Sequence, residues 1–144
     1  MPGDFTFQHV GLVVHDIERA RAELTRLGYG MSSQRYVDAR QGVDLLVMRA
    51  SHPGVPALEL VQPHRSDSVV SRLLVKHGAA PYHLCFEVGD IHEAVEGGYH
   101  RGYCVVMEPT ASPVFDGRMT CFMYSKHLGL IELVERAGVA SAEA

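Results

Sequence analysis

The chain has 144 residues, enough for one well-cored domain or two small modules sharing a core. Hydrophobic residues make up 47% and charged residues 21%, and the net charge of −4 argues against a nucleic-acid partner, which needs a basic face. No apolar run approaches the ~18 residues of a membrane span, and the start, MPGDFTFQHV, lacks a signal peptide's basic and apolar regions, so a cytoplasmic protein without a membrane partner is expected.

Phe5–Val14 reads as a strand that is apolar, hence buried, on both faces. Asp16 is a suitable N-cap for a helix carrying Ile17, Ala20, Leu24 and Leu27 at helical spacing, and Gly28 closes it. Extended segments follow at roughly 30–37 and 43–50, and the turn from Ser51 to Pro56 leads into a strand at Ala57–Gln62. A connector then holds a short amphipathic helix, Asp67–His77, with Val69, Val70, Leu73 and Leu74 inward. Strand Tyr82–Val88 precedes a second Asp-capped helix, from Asp90, that should be short or frayed. It contains Gly97 and Gly98, each costing about 1 kcal/mol against Ala. Strands near Tyr103–Glu108, Met119–Tyr124 and Leu130–Val134 follow, with Asp116-Gly117 as a hairpin turn, and the tail from Ala137 is expected to be disordered.

The chain is duplicated. FQHVGLVVHDIERA at residues 7–20 matches PYHLCFEVGDIHEA at residues 81–94, an offset of 74 positions that also carries Gly28-Tyr29 onto Gly102-Tyr103. Each copy reads β-α-β-β-β: module one at 5–63, a connector at 64–80, module two at 81–136 and a tail at 137–144. The expected architecture is α+β, two curved sheets packed around a shared cavity with the helices outside.

Each copy supplies one in-strand His (His9, His83) and one Glu inside an apolar strand (Glu59 in LELV, Glu132 in IELV). A buried ionised carboxylate without a partner costs several kcal/mol or more, and one shared cation would compensate both. The bland alternative has outward-facing glutamates and hydrogen-bonded core histidines. Four residues tied by a repeat favour one divalent metal ion, with Zn, Ni, Co, Fe or Mn all suited to two imidazoles and two carboxylates. Such an ion can polarise a carbonyl, and a ligand Glu can double as proton acceptor. The remaining histidines, such as His52, His64 and His100, sit in loops or on polar helix faces and read as solvated. The cysteines, Cys85, Cys104 and Cys121, are odd in number and lack a C-x-x-C, so neither a disulfide framework nor a zinc knuckle is indicated.

The motifs HVGLVVHDIERA, ALELVQP, PYHLCFEVGDI and GLIELVE, in this order and spacing, resemble the vicinal-oxygen-chelate superfamily, the glyoxalase/bleomycin-resistance fold, over residues 5–136. Within it, SVVSRLLVKHG followed by PYHLCFEV, and GRMTCFMYSKHLGLIELVE, are most similar to methylmalonyl-CoA epimerases and lactoylglutathione-lyase-like proteins. The resemblance implies metal ligation by His9, Glu59, His83 and Glu132, with Glu132 also acting as base. It implies a metal-dependent isomerase or lyase acting on an acyl-CoA or a hemithioacetal. The epimerases carry a second Glu just after a Q-G-V stretch; here Gln41-Gly42-Val43 leads to Leu45. Asp44 is adjacent, but alternation turns it to the other face. The epimerases also tend to have Gln where Glu59 stands, a glutamate more like that of glyoxalase I.

Arg118, Tyr82, Tyr124 and Leu45 are the candidate substrate-binding positions; solvent for the Arg and simple packing for the tyrosines are the plain alternatives. Two other functions fit the resemblance: a small-molecule binding protein, of the antibiotic-sequestering kind, and an Fe(II) extradiol-type dioxygenase. A homodimer is expected, because curved sheets leave edges to cover, with all four ligands drawn from one chain.

Overall fold

The computed structural model describes residues 5–138. The chain divides into two compact units: His9–Tyr82, and the residues from His83 onward together with those before His9.

The first unit takes β1 (Thr6–Val13) from His9 on, followed by α1 (Ile17–Arg26), the short strands β2 (Met31–Ser32) and β3 (Tyr36–Asp38), then β4 (Val43–Arg49), β5 (Ala57–Pro63) and α2 (Val69–His77). The strand order is β2-β4-β5-β1, with β3 also on β4. β1 and β5 run parallel, and β4 is antiparallel to β5. The second unit holds β6 (Ala80–Val88) from His83 on, α3 (Ile91–His100), β7 (Cys104–Ala111), β8 (Met119–Ser125) and β9 (Gly129–Glu135). Its order, β6-β9-β8-β7, has the same senses: β6 parallel to β9, and β8 antiparallel to β9. The duplication read from the sequence is thus a duplication of topology, and the class is α+β.

The helix starts are duplicated in atomic detail. Asp16 Oδ1 accepts the Arg19 N–H at 3.0 Å, and Asp90 Oδ1 accepts those of His92 and Glu93 at 3.0 and 3.1 Å. A long side chain from the last strand of each unit adds a further cap: Gln62 Oε1 accepts from Ile17 N at 2.8 Å, Glu135 Oε2 from Ile91 N at 3.2 Å. Ile17 and Ile91 are themselves fully buried, each worth about 1.5–3 kcal/mol. The helix ends match too. Gly28 and Gly102 take φ of +103° and +91°, which lets Tyr29 and Tyr103 N–H groups reach back to Leu24 and Gly98 carbonyls at 2.9 and 3.0 Å.

Each sheet has a helix face and an opposite face. In the first unit Leu46, Met48 and Leu60 pack with Val14 and Ile17 on the helix face. In the second, Val88, Cys121, Met123, Ile131 and Leu133 pack with Ile91. Side chains alternate along strands, so Leu45, Val47, Glu59 and Val61 share the opposite face of the first unit, and His83, Cys85 and Glu132 that of the second.

Several expectations are corrected. α3 spans ten residues, as many as α1, despite Gly97 and Gly98. The double cap from Asp90, the Glu135 bond and burial of Ile91 outweigh the ~2 kcal/mol of unfavourable propensity. α2 begins at Val69, after its cap Ser68, rather than at Asp67, and Val69 is exposed while Val70 and Leu74 are buried. The segment 30–37 is broken between β2 and β3 where Ser33 turns its hydroxyl to the Val47 N–H. β1 is not buried on both faces at its start: Phe7 is 42% exposed, with its ring on Phe86 at 5.5 Å. Asp116-Gly117 does form a turn, both residues with positive φ, after a single 3-10 turn at Pro113–Phe115. Of the tail, residues 139–144 lie outside the described residues. Among the described residues no helix is long and apolar enough to cross a membrane.

Candidate metal centre

In the first unit His9 comes from β1 and Glu59 from the neighbouring β5. Glu59 stands in register with Gly11, two residues after His9, so the two side chains lean toward each other over a position with no side chain. His9 Nε2 is 3.6 Å from a Glu59 carboxylate oxygen, and the residues are 0% and 3% exposed. The second unit repeats this. Glu132 of β9 is in register with Cys85 of β6, again a small residue two places after the histidine. His83 Nε2 is 3.1 Å from Glu132 Oε1, with the residues 3% and 5% exposed. Phe122 of β8, directly across the ladder from Glu132, meets the His83 ring edge-on at 5.3 Å between centroids.

The donors fit a divalent ion. Two ligand atoms each ~2.1 Å from one ion lie about 3.0–3.4 Å apart in octahedral or tetrahedral geometry, close to what each pair shows. Imidazole and carboxylate together suit Zn, Ni, Co, Fe or Mn. Neither glutamate is at an edge or in solvent, so the bland expectation of outward-facing carboxylates does not hold.

Leu45 is buried on the Glu59 face, since Leu45 pairs with Val61 and Val47 with Glu59. Asp44 faces the other way, where Arg35 Nε donates to it at 2.9 Å. Its carboxylate therefore does not replace the missing glutamate. Two residues of this face escaped the sequence reading. Tyr36 of β3 stands directly opposite Leu45, and Asp38 opposite Val43. The Asp38 carboxylate is taken up by the Gln41 amide group at 2.8 Å. Nothing in the sequence marked either residue, because a three-residue strand has no detectable period.

The remaining expected positions are dispersed. Arg118 is part-buried rather than free in solvent. Its Nη1 donates to Glu87 Oε2 at 3.0 Å and to the Glu135 carbonyl at 3.1 Å, and its Nε to the Phe115 carbonyl at 3.3 Å. Glu87 lies on the same face of β6 as His83 and Cys85. Tyr124 shares the Phe122 face of β8 and is 48% exposed. Tyr82 directly precedes His83 in β6, so its side chain goes to the face opposite the histidine. Cys85 packs with Val134 and Phe115 as a small core residue. Cys121 lies on the helix face, and burial first, then the charges of Glu132 and Glu108, raise its thiol pKa to about 12. It is therefore no nucleophile.

The family model of the Glyoxalase/Bleomycin resistance protein/Dioxygenase superfamily matches residues 8–122. The chain belongs to this superfamily. Its glyoxalase-like α+β fold is shared with solved structures of methylmalonyl-CoA epimerases. The enzyme from Mycobacterium tuberculosis is 26% identical with a TM-score of 0.77, over 94% of this chain and 91% of that one. A methylmalonyl-CoA epimerase in complex with methylmalonyl-CoA and an ammonium ion is 29% identical with a TM-score of 0.78, over 95% and 98%. A glutamate-to-leucine variant of the Streptomyces coelicolor epimerase, in complex with 2-nitronate-propionyl-CoA, is 31% identical with a TM-score of 0.76, over 92% and 95%. No curated protein matches the chain.

Proposed function

We propose that His9, Glu59, His83 and Glu132 together hold one divalent cation, and that the protein is a metal-dependent isomerase or lyase of the epimerase and glyoxalase I kind. The observation that carries this reading is the repeated pair. Each unit buries one imidazole and one carboxylate at matching places, over a matching small residue. The ion would supply Lewis-acid stabilisation of the charge that develops on a carbonyl oxygen when a neighbouring C–H ionises.

The chain's own residues do the rest. Glu132 accepts the proton, and its position against His83 and Phe122 fixes the direction of approach. Leu45 contributes an apolar wall that excludes water where the epimerases have an acid. Within the first unit, Glu59 is then the carboxylate left to act as a second proton acceptor on that face. Arg118 is the cation on the His83 face, and a substrate carboxylate or phosphate would share it with Glu87. The substrate is an acyl-CoA such as methylmalonyl-CoA, and the protein works as a homodimer in the cytoplasm.

A second reading is favoured by Leu45 together with the epimerase variant in which leucine replaces a glutamate. That variant is described in complex with an acyl-CoA analogue, so the scaffold can hold such a ligand without every acid. A binding protein for acyl-CoA, or a one-acid lyase acting on a hemithioacetal, follows from it. The test is incubation of the metal-loaded protein with methylmalonyl-CoA in D2O, followed by NMR. Loss of the α-proton signal supports the isomerase; tight binding without exchange supports the binding protein; neither, with the metal bound, moves the hemithioacetal ahead.

A further inference from the structure

Among the described helices, α3 alone is interrupted by adjacent glycines. On the duplication, Gly97 and Gly98 stand where α1 has Glu23 and Leu24, and Leu24 packs against the core of its unit. In α3 that side chain is missing. The Met123 methyl comes within 2.9 Å of where a Gly98 Cβ would stand, but a Cβ at Gly97 meets nothing within 4 Å. Beside α3 runs a cleft of about 710 Å³, whose accessible apolar wall is made by Phe5, Phe86, Tyr103 and Leu128, over the buried Val88, Met123, Ile131 and Leu133. Those buried side chains lie on the helix face, opposite to His83 and Glu132, so the cleft is separate from the candidate metal centre.

The cleft is polar at its ends, and the ends differ in sign. Asp90 and Glu93 stand at the α3 N-terminus, and His100 and Arg101 at its C-terminus, about 16 Å away at 1.5 Å per residue. A second recess shares Arg101, Tyr103 and Leu128 with it, adds Lys126 and His127, and has no acidic residue in its lining. Among the described residues, neither Arg101 nor Lys126 makes an ion pair, whereas His100 is held by Glu96 at 3.9 Å.

We infer that this cleft binds a medium-chain fatty carboxylate, with its hydrocarbon chain along the apolar wall and its carboxylate at Arg101 and Lys126. The volume suits a small molecule. The acids at one end and the cations at the other fix the direction in which an amphipathic anion enters. Contact with Phe5, Phe86, Tyr103 and Leu128 supplies most of the affinity, because an exposed ion pair contributes little. The inference stands apart from the metal chemistry.

The test is calorimetric titration of the full chain with decanoate and with decanol. Decanoate should bind. Gly97→Leu, which projects into open space and favours the helix, should keep the melting temperature and weaken decanoate by more than about tenfold, since a filled cavity admits no chain. Gly97→Glu, which copies α1, is the second blocking variant. Arg101→Glu should weaken decanoate by about threefold to fivefold and leave decanol unchanged. No binding to wild type at millimolar decanoate, or equal binding to wild type and both Gly97 variants, overturns the inference. So does an Arg101→Glu effect that is absent or the same for decanol. If instead Gly97→Leu changes the oligomeric mass and decanoate does not bind, a second copy of the chain occupies the cleft and the inference fails.

Discussion

Phe122 stands directly across the β8–β9 ladder from Glu132, and its ring holds the His83 imidazole edge-on. One aromatic side chain therefore stands beside both candidate ligands of the second unit. Phe122→Ala should lower stability by about 3–5 kcal/mol through the cavity it leaves, and should weaken metal retention. Phe122→Leu should cost less than about 1.5 kcal/mol and keep the metal. Denaturant unfolding with metal analysis on each variant checks both. Retention of metal and stability by Phe122→Ala would show that the ring positions nothing.

Glu132→Gln is nearly isosteric and should keep the fold. It should still reduce α-proton exchange by roughly 100- to 10,000-fold, because an amide is a poorer ligand and takes up no proton. Circular dichroism and the D2O exchange rate are the measurements. A variant that exchanges at the wild-type rate would remove Glu132 from the reaction.

Leu45 makes a stereochemical prediction. With its acid absent, inversion at the α-carbon depends on Glu59, so Glu59→Gln should abolish inversion. Leu45→Glu should raise it, at some loss of stability from a buried charge. Exchange and optical inversion can be followed in parallel from a single epimer of methylmalonyl-CoA. Efficient inversion that survives Glu59→Gln would mean that another group, such as Tyr36 opposite Leu45, supplies the second proton step.

The cysteines provide a check on burial. Cys104 is exposed, whereas Cys85 and Cys121 are buried, so a thiol reagent should modify one cysteine of the native protein quickly and all three only on unfolding. The Cys121 thiol ionises near 9 in the unfolded chain and near 12 in the fold. Between those values the unfolded state loses a proton that the native state keeps, so stability falls as pH rises, by up to about 1.4 kcal/mol per unit. Cys121→Val should flatten this slope. An unchanged slope would place the thiol in water.

The fold was legible because the duplication doubles every signal, and the same doubling is what put the four candidate ligands forward. His9 with His83, Glu59 with Glu132, and Asp16 with Asp90 each read weakly alone and strongly as pairs. Long-range effects were not legible. The α3 glycines looked like helix breakers because the cap from Glu135, forty-four residues away, is invisible in a local window. Arg118 read as either a substrate-binding or a solvated residue because its partner Glu87 sits thirty-one residues off, on another strand. Tyr82 fell to simple alternation beside His83, a rule that the sequence already contained.

The most direct test of the account is metal stoichiometry. Equilibrium dialysis against a divalent ion such as Co or Zn, followed by elemental analysis, should find one ion per chain in the wild type. His9→Ala and His83→Ala, made separately in the two units, should each lose it. Full retention of the ion after either single substitution, or two ions per chain, would contradict a single centre shared by His9, Glu59, His83 and Glu132.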